Sequence, residues 1–335
     1  MTSDRKKDHI DLAFKSRPTE KIGLDNFTYE PMLSAHPEYL SHPKQEFLGF
    51  EFRLPFWISS MTGGTERAKL INENLAKGAE EFGLGLGLGS CRPLLSDDKR
   101  FDDFDIKKFM PTRPLFTNFG IAQLEELVAR NSLGEIDHIT KSLNADGIII
   151  HVNPLQEWGQ PEGDRFKKPP LDTIKSVLAK SDFPLIVKEV GQGFGPKSMK
   201  SLMELPLAAI EFGAYGGTNF TILELARLSR SLSGKKSDKE DFGHIGHDAL
   251  EMIDFANEIL NASDSDLKCR EFIISGGVSS GMQGFILNES LRSNSVVGMA
   301  ASFLKHAMGE YSELQTYMLE LRSEYLLASA YIKRK

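Results

Sequence analysis

Cys91 and Cys269 are the only two cysteines in this chain of 335 residues. That scarcity argues against a disulfide framework or a cysteine-based zinc site, and makes a reducing cytoplasm the expected compartment. Long apolar runs are missing as well: no segment reaches about 18 uninterrupted apolar residues, so nothing is expected to span a bilayer. The opening MTSDRKKDHIDLAF has no apolar stretch of signal-peptide length. There is no excess of positive charge either. The formal net charge is -7, so neither a nucleic-acid groove nor an anionic membrane surface is the default partner. An anionic ligand remains open, because local basic groups decide that. No strand–GxGxxG–helix unit occurs, which removes the dinucleotide fingerprint. GLGLGLGS (83–90) resembles it only superficially, and its alternating glycines suit a tightly packed barrel strand better.

What is present is ordinary globular composition, 40% hydrophobic and 26% charged, in a chain long enough for one large core or two modest domains. Eight short apolar runs bounded by turn signals read as strands: 55–61, 83–90, 114–120, 147–153, 184–190, 207–213, 271–277 and 295–300. Helical patterns fill most of the intervals, among them ERAKLINENLAKGAEEFG, IAQLEELVARN, PLDTIKSVLAKS and PKSMKSLMEL. Strand alternating with helix calls for a parallel sheet covered on both faces. Eight units without a linker favour a single α/β (β/α)8 TIM barrel over residues 51–335. Residues 1–50 are expected to form an N-terminal arm on or over the active site. The polar LSRSLSGKKSDKEDFGHIGHD reads as an excursion after the sixth strand.

Polar residues gather at the C-terminal ends of those strands: Ser59 to Thr62, Ser90 and Arg92, Asn118, His151 and Asn153, Lys188 and Glu189. Barrel active sites are built on that face. SGGVSSG (275–281) and VGMAASF (297–303) follow the seventh strand and join the eighth to a helix, and GGTNF (216–220) follows the sixth. Gly276, Gly277, Gly298, Ala300, Ala301 and Thr218 therefore read as a phosphate-binding edge, where glycine lets backbone N–H groups approach an anion. Ser60, Met61 and Thr62, with Ser90 and Asn118, suit the edge of a flat polar heterocycle. Lys188 would point into the barrel mouth, near the N1–C2 carbonyl edge of a flavin or in an ion pair with Glu189 or another carboxylate. Together these features suggest FMN.

HVNPLQEWGQPEGD (151–164) stands at the end of the fourth strand. Side chains alternate along a strand, so His151 and Asn153 should project the same way. Gln156 and Glu157 come just beyond Pro154, which stops strand pairing. A polar loop after a core strand is the bland alternative.

HVNPLQEWGQPEGDRF, RKKDHI (5–10), SMTGGT, VKEVGQG and GGTNF together resemble the type 2 isopentenyl-diphosphate isomerases, FMN-dependent barrel enzymes, and do so over most of the chain. The resemblance implies interconversion of isopentenyl and dimethylallyl diphosphate with reduced FMN and Mg²⁺, NAD(P)H as reductant, and a homo-oligomer of tetramer size or larger. By resemblance, Asn153 and Glu157 hold Mg²⁺ on the diphosphate, and His151 and Gln156 face the substrate near the flavin. Arg5, Lys6, His9 and Arg92 bind diphosphate oxygens, which an arginine can do with a bidentate fork. His151, Gln156 and Lys188 are the expected catalytic set.

Three departures from the family pattern stand out. Cys91 occupies a usual glutamine position, Ser279 a common arginine position, and DFGHIGHDAL (241–250) replaces a D-W-G-I-P-T run. Two other functions therefore stay open: an FMN-dependent oxidoreductase such as a 2-hydroxy-acid oxidase, and a flavin-binding protein without turnover.

Overall fold

The computed structural model describes residues 2–13, 15–16, 26–38, 44–60, 67–160, 162–231, 240–262 and 266–335. Its centre is a closed eight-stranded parallel barrel. The strands are β1 (Phe56–Ile58), β2 (Gly85–Gly87), β3 (Leu115–Gly120), β4 (Gly147–Val152), β5 (Leu185–Glu189), β6 (Ala209–Glu211), β7 (Glu271–Ser275) and β8 (Asn294–Met299). Each pairs with its sequence neighbours, and β8 closes on β1. Seven lie inside the runs expected from the sequence, trimmed at their ends where the chain turns off the barrel rim, and the eighth begins one residue before its run, at Asn294. The helices Ala68–Phe82, Ile121–Ala129, Pro170–Leu178 and Pro196–Met203 fall in the expected intervals. Between β2 and β3, however, only short turns stand, at Arg92–Leu95, Phe101–Phe104 and Lys107–Phe109.

Alternation along the strands sorts side chains into two layers inside the barrel. Trp57, Phe116, Ile149, Ile186, Ala209, Ile273 and Val296 form an apolar layer, packed as one cluster with Phe47 and Phe52. Two residues further along the same strands come Ser59, Asn118, His151, Lys188, Glu211, Ser275 and Gly298. The period of two in a strand puts them on the same inward side, one layer nearer the C-terminal rim. The glycines of β2 make this possible. A Cβ at Gly85 would collide with the Trp57 indole, and one at Gly87 would lie 2.5 Å from Ile149 Cδ1.

Phe47 and Phe52 belong to an antiparallel hairpin, Gln45–Phe47 with Phe50–Phe52. Its turn, Leu48-Gly49, has positive φ at both residues, the geometry that matches the twist of a two-residue hairpin. Leu48 N–H donates to Glu271 Oε2 and Gln45 Nε2 to the Ser295 carbonyl, tying the hairpin to the N-terminal ends of β7 and β8. The boundary expected at residue 50 thus falls inside a hairpin that floors the barrel, because its two aromatics are needed to close the apolar layer. Phe27–Tyr29 pairs with the C-terminal Ile332–Arg334. Ahead of these pairings lies the helix Thr2–Leu12.

Candidate active site

The register of the sheet brings three polar side chains into one row. His151 is opposite Lys188, and Lys188 is opposite Glu211, across β4, β5 and β6. From β3, Asn118 donates its amide to the Leu88 carbonyl at 3.1 Å, so its Oδ1 is the atom that faces His151 Nδ1 at 2.8 Å. An amide oxygen only accepts, which puts the imidazole proton on Nδ1 and leaves Nε2 as the acceptor toward the mouth. Burial, and then the neighbouring Lys188 charge, push the His151 pKa down to about 4. The ring is neutral at ordinary pH.

Lys188 Nζ donates to the Glu189 carbonyl at 2.9 Å and lies 3.6 Å from Glu211 Oε1. Its ion-pair partner is therefore Glu211. Glu189 lies on the other face of the strand, as alternation requires, and its Oε2 accepts four successive backbone N–H groups, from Val190, Gly191, Gln192 and Gly193. Burial pushes that carboxyl upward in pKa while those N–H groups oppose it.

Beyond β4 the chain enters a short helix, Pro154–Gly159, instead of a loop. Proline suits its first position, where an N–H would have no helical partner. The turn brings Gln156 and Glu157 back toward Asn153, whose amide donates to Gln156 Oε1 and Glu157 Oε1, both at 3.0 Å. Glu157 is buried, and its second oxygen accepts from Asp164 N–H at 2.8 Å. Asp164 in turn accepts from Gln123 and pairs with Arg92 at 3.5 Å. Asn153 Oδ1 is left buried without a hydrogen-bond partner. Such an atom costs stability unless something else supplies the missing contact.

Two adjoining cavities open at this end of the barrel. One, of about 130 Å³, is lined by Ser60, Ser90, Asn118, His151, Gln156 and Lys188, among others. The other, of about 170 Å³, has walls from Thr218, Gly276, Gly277, Gly298, Ala300 and Ala301. Ser60, Lys188, Val190 and Phe220 belong to both. Neither alone reaches the roughly 300 Å³ usual for a ligand site, but side by side they approach it. The glycine edge is also forced by packing. Gly276 and Gly277 have φ of 113° and 76°, and a Cβ on Gly276 would run into the Ala214 carbonyl. Ser59 and Ser60 hydroxyls are buried here with no partner.

The structure thus brings together most of the expected set. Ser60, Ser90, Asn118, His151, Gln156, Lys188, Thr218, Gly276, Gly277, Gly298, Ala300 and Ala301 line the paired cavities, and Asn153, Glu157 and Arg92 form a polar network beside them. Met61 and Thr62 lie outside the described residues. Arg5, Lys6 and His9 are exposed on the N-terminal helix and form no part of either cavity wall. Cys91 is not at the mouth. Its side chain is fully buried in the outer core, where burial pushes the thiol up to about 12. Ser279 is engaged with Gln283 Oε1 through its N–H. His247 packs edge-on against Phe255, and among the described residues no group of three His, Cys, Asp or Glu could hold a metal. Glu211, Asp164 and Phe220 were not singled out in the sequence. A glutamate inside the apolar run LAAIEFG was the available signal for Glu211.

No protein-family model matches the chain. It is 34% identical over 310 residues to an isopentenyl-diphosphate delta-isomerase of Rickettsia peacockii (strain Rustic), covering 91% of this chain and 86% of the relative. The protein of the same name from Rickettsia typhi (strain ATCC VR-144 / Wilmington) is 32% identical over 311 residues, again 91% and 86%. Among solved structures, a flavocytochrome b2 variant with benzoylformate superposes with a TM-score of 0.61 at 13% identity, over 91% of this chain and 72% of that one. A mandelate oxidase variant with a monooxide FMN adduct gives 0.54 at 14% identity, over 93% and 88%. At such identities these structures speak for the fold alone.

Proposed function

Since this chain belongs to the isopentenyl-diphosphate delta-isomerase family and is an isomerase, we propose that it is the type 2, FMN-dependent form, interconverting isopentenyl and dimethylallyl diphosphate with Mg²⁺ on the diphosphate. The observation that carries this reading is the shared Lys188 wall. One cavity has a glycine-rich edge and unpartnered serine hydroxyls, the other holds His151, Asn118 and Gln156, and a lysine stands between them.

Both implied groups fit the residues present. The Ser59 and Ser60 hydroxyls offer free polar contacts to a flavin, Lys188 would face its N1–C2 edge, and Thr218, Gly276, Gly277, Ala300 and Ala301 would meet its phosphate. Asn153 Oδ1 and the Glu157 carboxylate are hard oxygen donors side by side, and two protein ligands with the rest from water and phosphate is how Mg²⁺ is commonly held. Reduced FMN, when bound, supplies an acid–base group able to act on an unactivated alkene, which no ordinary side chain protonates easily at neutral pH.

The protein's own part is positional. Neutral His151, fixed by Asn118, presents the Nε2 lone pair to the substrate, and Gln156, held by Asn153, orients the alkene. Phe220 and Val190 exclude water, and Lys188 holds charge on the reduced cofactor. Arg92 binds diphosphate oxygens, and Arg5, Lys6 and His9 join it if the N-terminal helix folds over the mouth of its own or a neighbouring subunit. NAD(P)H as reductant, a homo-oligomer of tetramer size or larger, and a cytoplasmic setting complete the reading. Of these, the setting is supported by two buried free thiols.

The test is proton NMR of isopentenyl diphosphate incubated anaerobically with the protein, FMN, Mg²⁺ and NADPH. Conversion to dimethylallyl diphosphate only in the complete mixture is expected. Conversion without flavin would remove the type 2 assignment.

A further inference from the structure

Glu211 is fully buried, and neither carboxylate oxygen has a hydrogen-bond partner. Among the described residues its ion-pair partner is Lys188 Nζ at 3.6 Å, too far for a hydrogen bond. A buried carboxylate in that condition is costly in a way that a well-packed apolar side chain is not. The layer below shows the alternative, since Ala209 stands two residues earlier on the same strand. Glu211 therefore does not stand there for stability.

Lys188 gives it another purpose. The ammonium has three N–H groups; one is committed to the Glu189 carbonyl, leaving two for Glu211 and for the cavities it lines. The groups facing it are neutral His151 from β4, Glu211 from β6 and the Glu189 carbonyl of its own strand. Glu211 is the anion paired with it across the sheet, while the Glu189 charge acts from the other face of its own strand, so Glu211 offsets part of the cost of holding a desolvated ammonium at the mouth.

We propose that Glu211 is a positioning residue for the cofactor step: it holds the Lys188 ammonium directed at the flavin edge, so that the negative charge arriving on reduction finds its counter-charge already in place. The inference rests on the flavin reading above. A hydride from the nicotinamide brings two electrons and one proton, which leaves the reduced ring anionic. With Glu211→Gln the lysine loses the anion it is paired with, and the charge arriving on the ring meets a counter-charge that is no longer held in place.

The experiment is a spectroelectrochemical titration of the FMN-loaded wild type, Glu211→Gln, Glu211→Asp and Glu211→Leu across pH, with thermal unfolding of each. In Glu211→Gln the preference for reduced over oxidised FMN should fall at least tenfold, a drop of about 30 mV in the two-electron midpoint. Glu211→Asp should recover most of it. Glu211→Leu should unfold no earlier than wild type while showing the same drop, a combination that a structural ion pair would not give. An unchanged midpoint in the Gln variant overturns the proposal. A raised midpoint does so too, because the carboxylate would then be repelling the reduced ring. Wild type that binds no FMN removes the cofactor reading itself, whereas FMN-loaded variants indistinguishable from wild type remove only the role of Glu211.

Discussion

Two layers of side chains share the inside of this barrel, one residue pair apart along the same strands, and they follow opposite rules. The lower layer is Trp57, Phe116, Ile149, Ile186, Ala209, Ile273 and Val296, closed from below by Phe47 and Phe52. Its members fill space, and their one side-chain polar atom, Trp57 Nε1, is buried without a hydrogen-bond partner among the described residues. The upper layer replaces each in turn with Ser59, Asn118, His151, Lys188, Glu211, Ser275 and Gly298, and among the described residues the Ser59 hydroxyl and the Glu211 carboxylate find no hydrogen-bond partner. The floor is optimised for stability. The mouth gives up stability for groups poised to meet a ligand, as functional sites often do.

Changes in the two layers should accordingly separate stability from activity. The largest effect belongs to the floor: Phe47→Ala should cost about 3–5 kcal/mol in urea unfolding through cavity formation, with FMN affinity unchanged in the protein that remains folded. If affinity fell in parallel, the layers would not be independent. Next, Glu157→Gln should lower Mg²⁺-supported turnover by about 100-fold while flavin absorbance stays at wild-type levels. Unaltered Mg²⁺ dependence would take Glu157 out of the metal site.

Titration sharpens the contrast further. His151 has a folded pKa of about 4 against an ordinary 6.5, so between those values the unfolded chain binds more protons. This group's contribution to stability is full above 6.5 and is lost as pH falls toward 4, by about 3 kcal/mol. Unfolding of wild type and His151→Gln, compared across that window, should converge as pH falls. The smallest effect is expected at Asn118→Ala, about 1 kcal/mol in stability, with a drop in kcat larger than the change in KM because the imidazole loses the partner that fixes its tautomer. Equal loss of both kinetic parameters would mean that Asn118 acts in binding alone.

Much of this was legible in the chain. The eight runs, the glycines of GLGLGLGS and the clustering of polar residues at strand ends all follow from local pattern, because alternation and turn chemistry act over a few residues. Alternation also placed His151 and Lys188 at strand ends, whereas the roles expected of His151 and Gln156 came from the family resemblance. The floor hairpin was not. Residues 45–52 pack through Phe47 and Phe52 against strands more than a hundred residues away, so a boundary drawn at residue 50 cut through it. The short helix Pro154–Gly159 hid in a segment that reads as a loop, since six residues carry too little periodicity to show.

By itself, the sequence determined which residues could face inward, through the period of two along each strand, and which ends would carry polar groups. Only the closed sheet decided who meets whom. The register of β4, β5 and β6 sets His151, Lys188 and Glu211 in one row, and so makes Glu211, and not the adjacent Glu189, the partner of the lysine. Neighbours in sequence point to opposite faces of a strand, while neighbours across a sheet share one. For that reason the charge partner of Lys188 was a property of the tertiary structure.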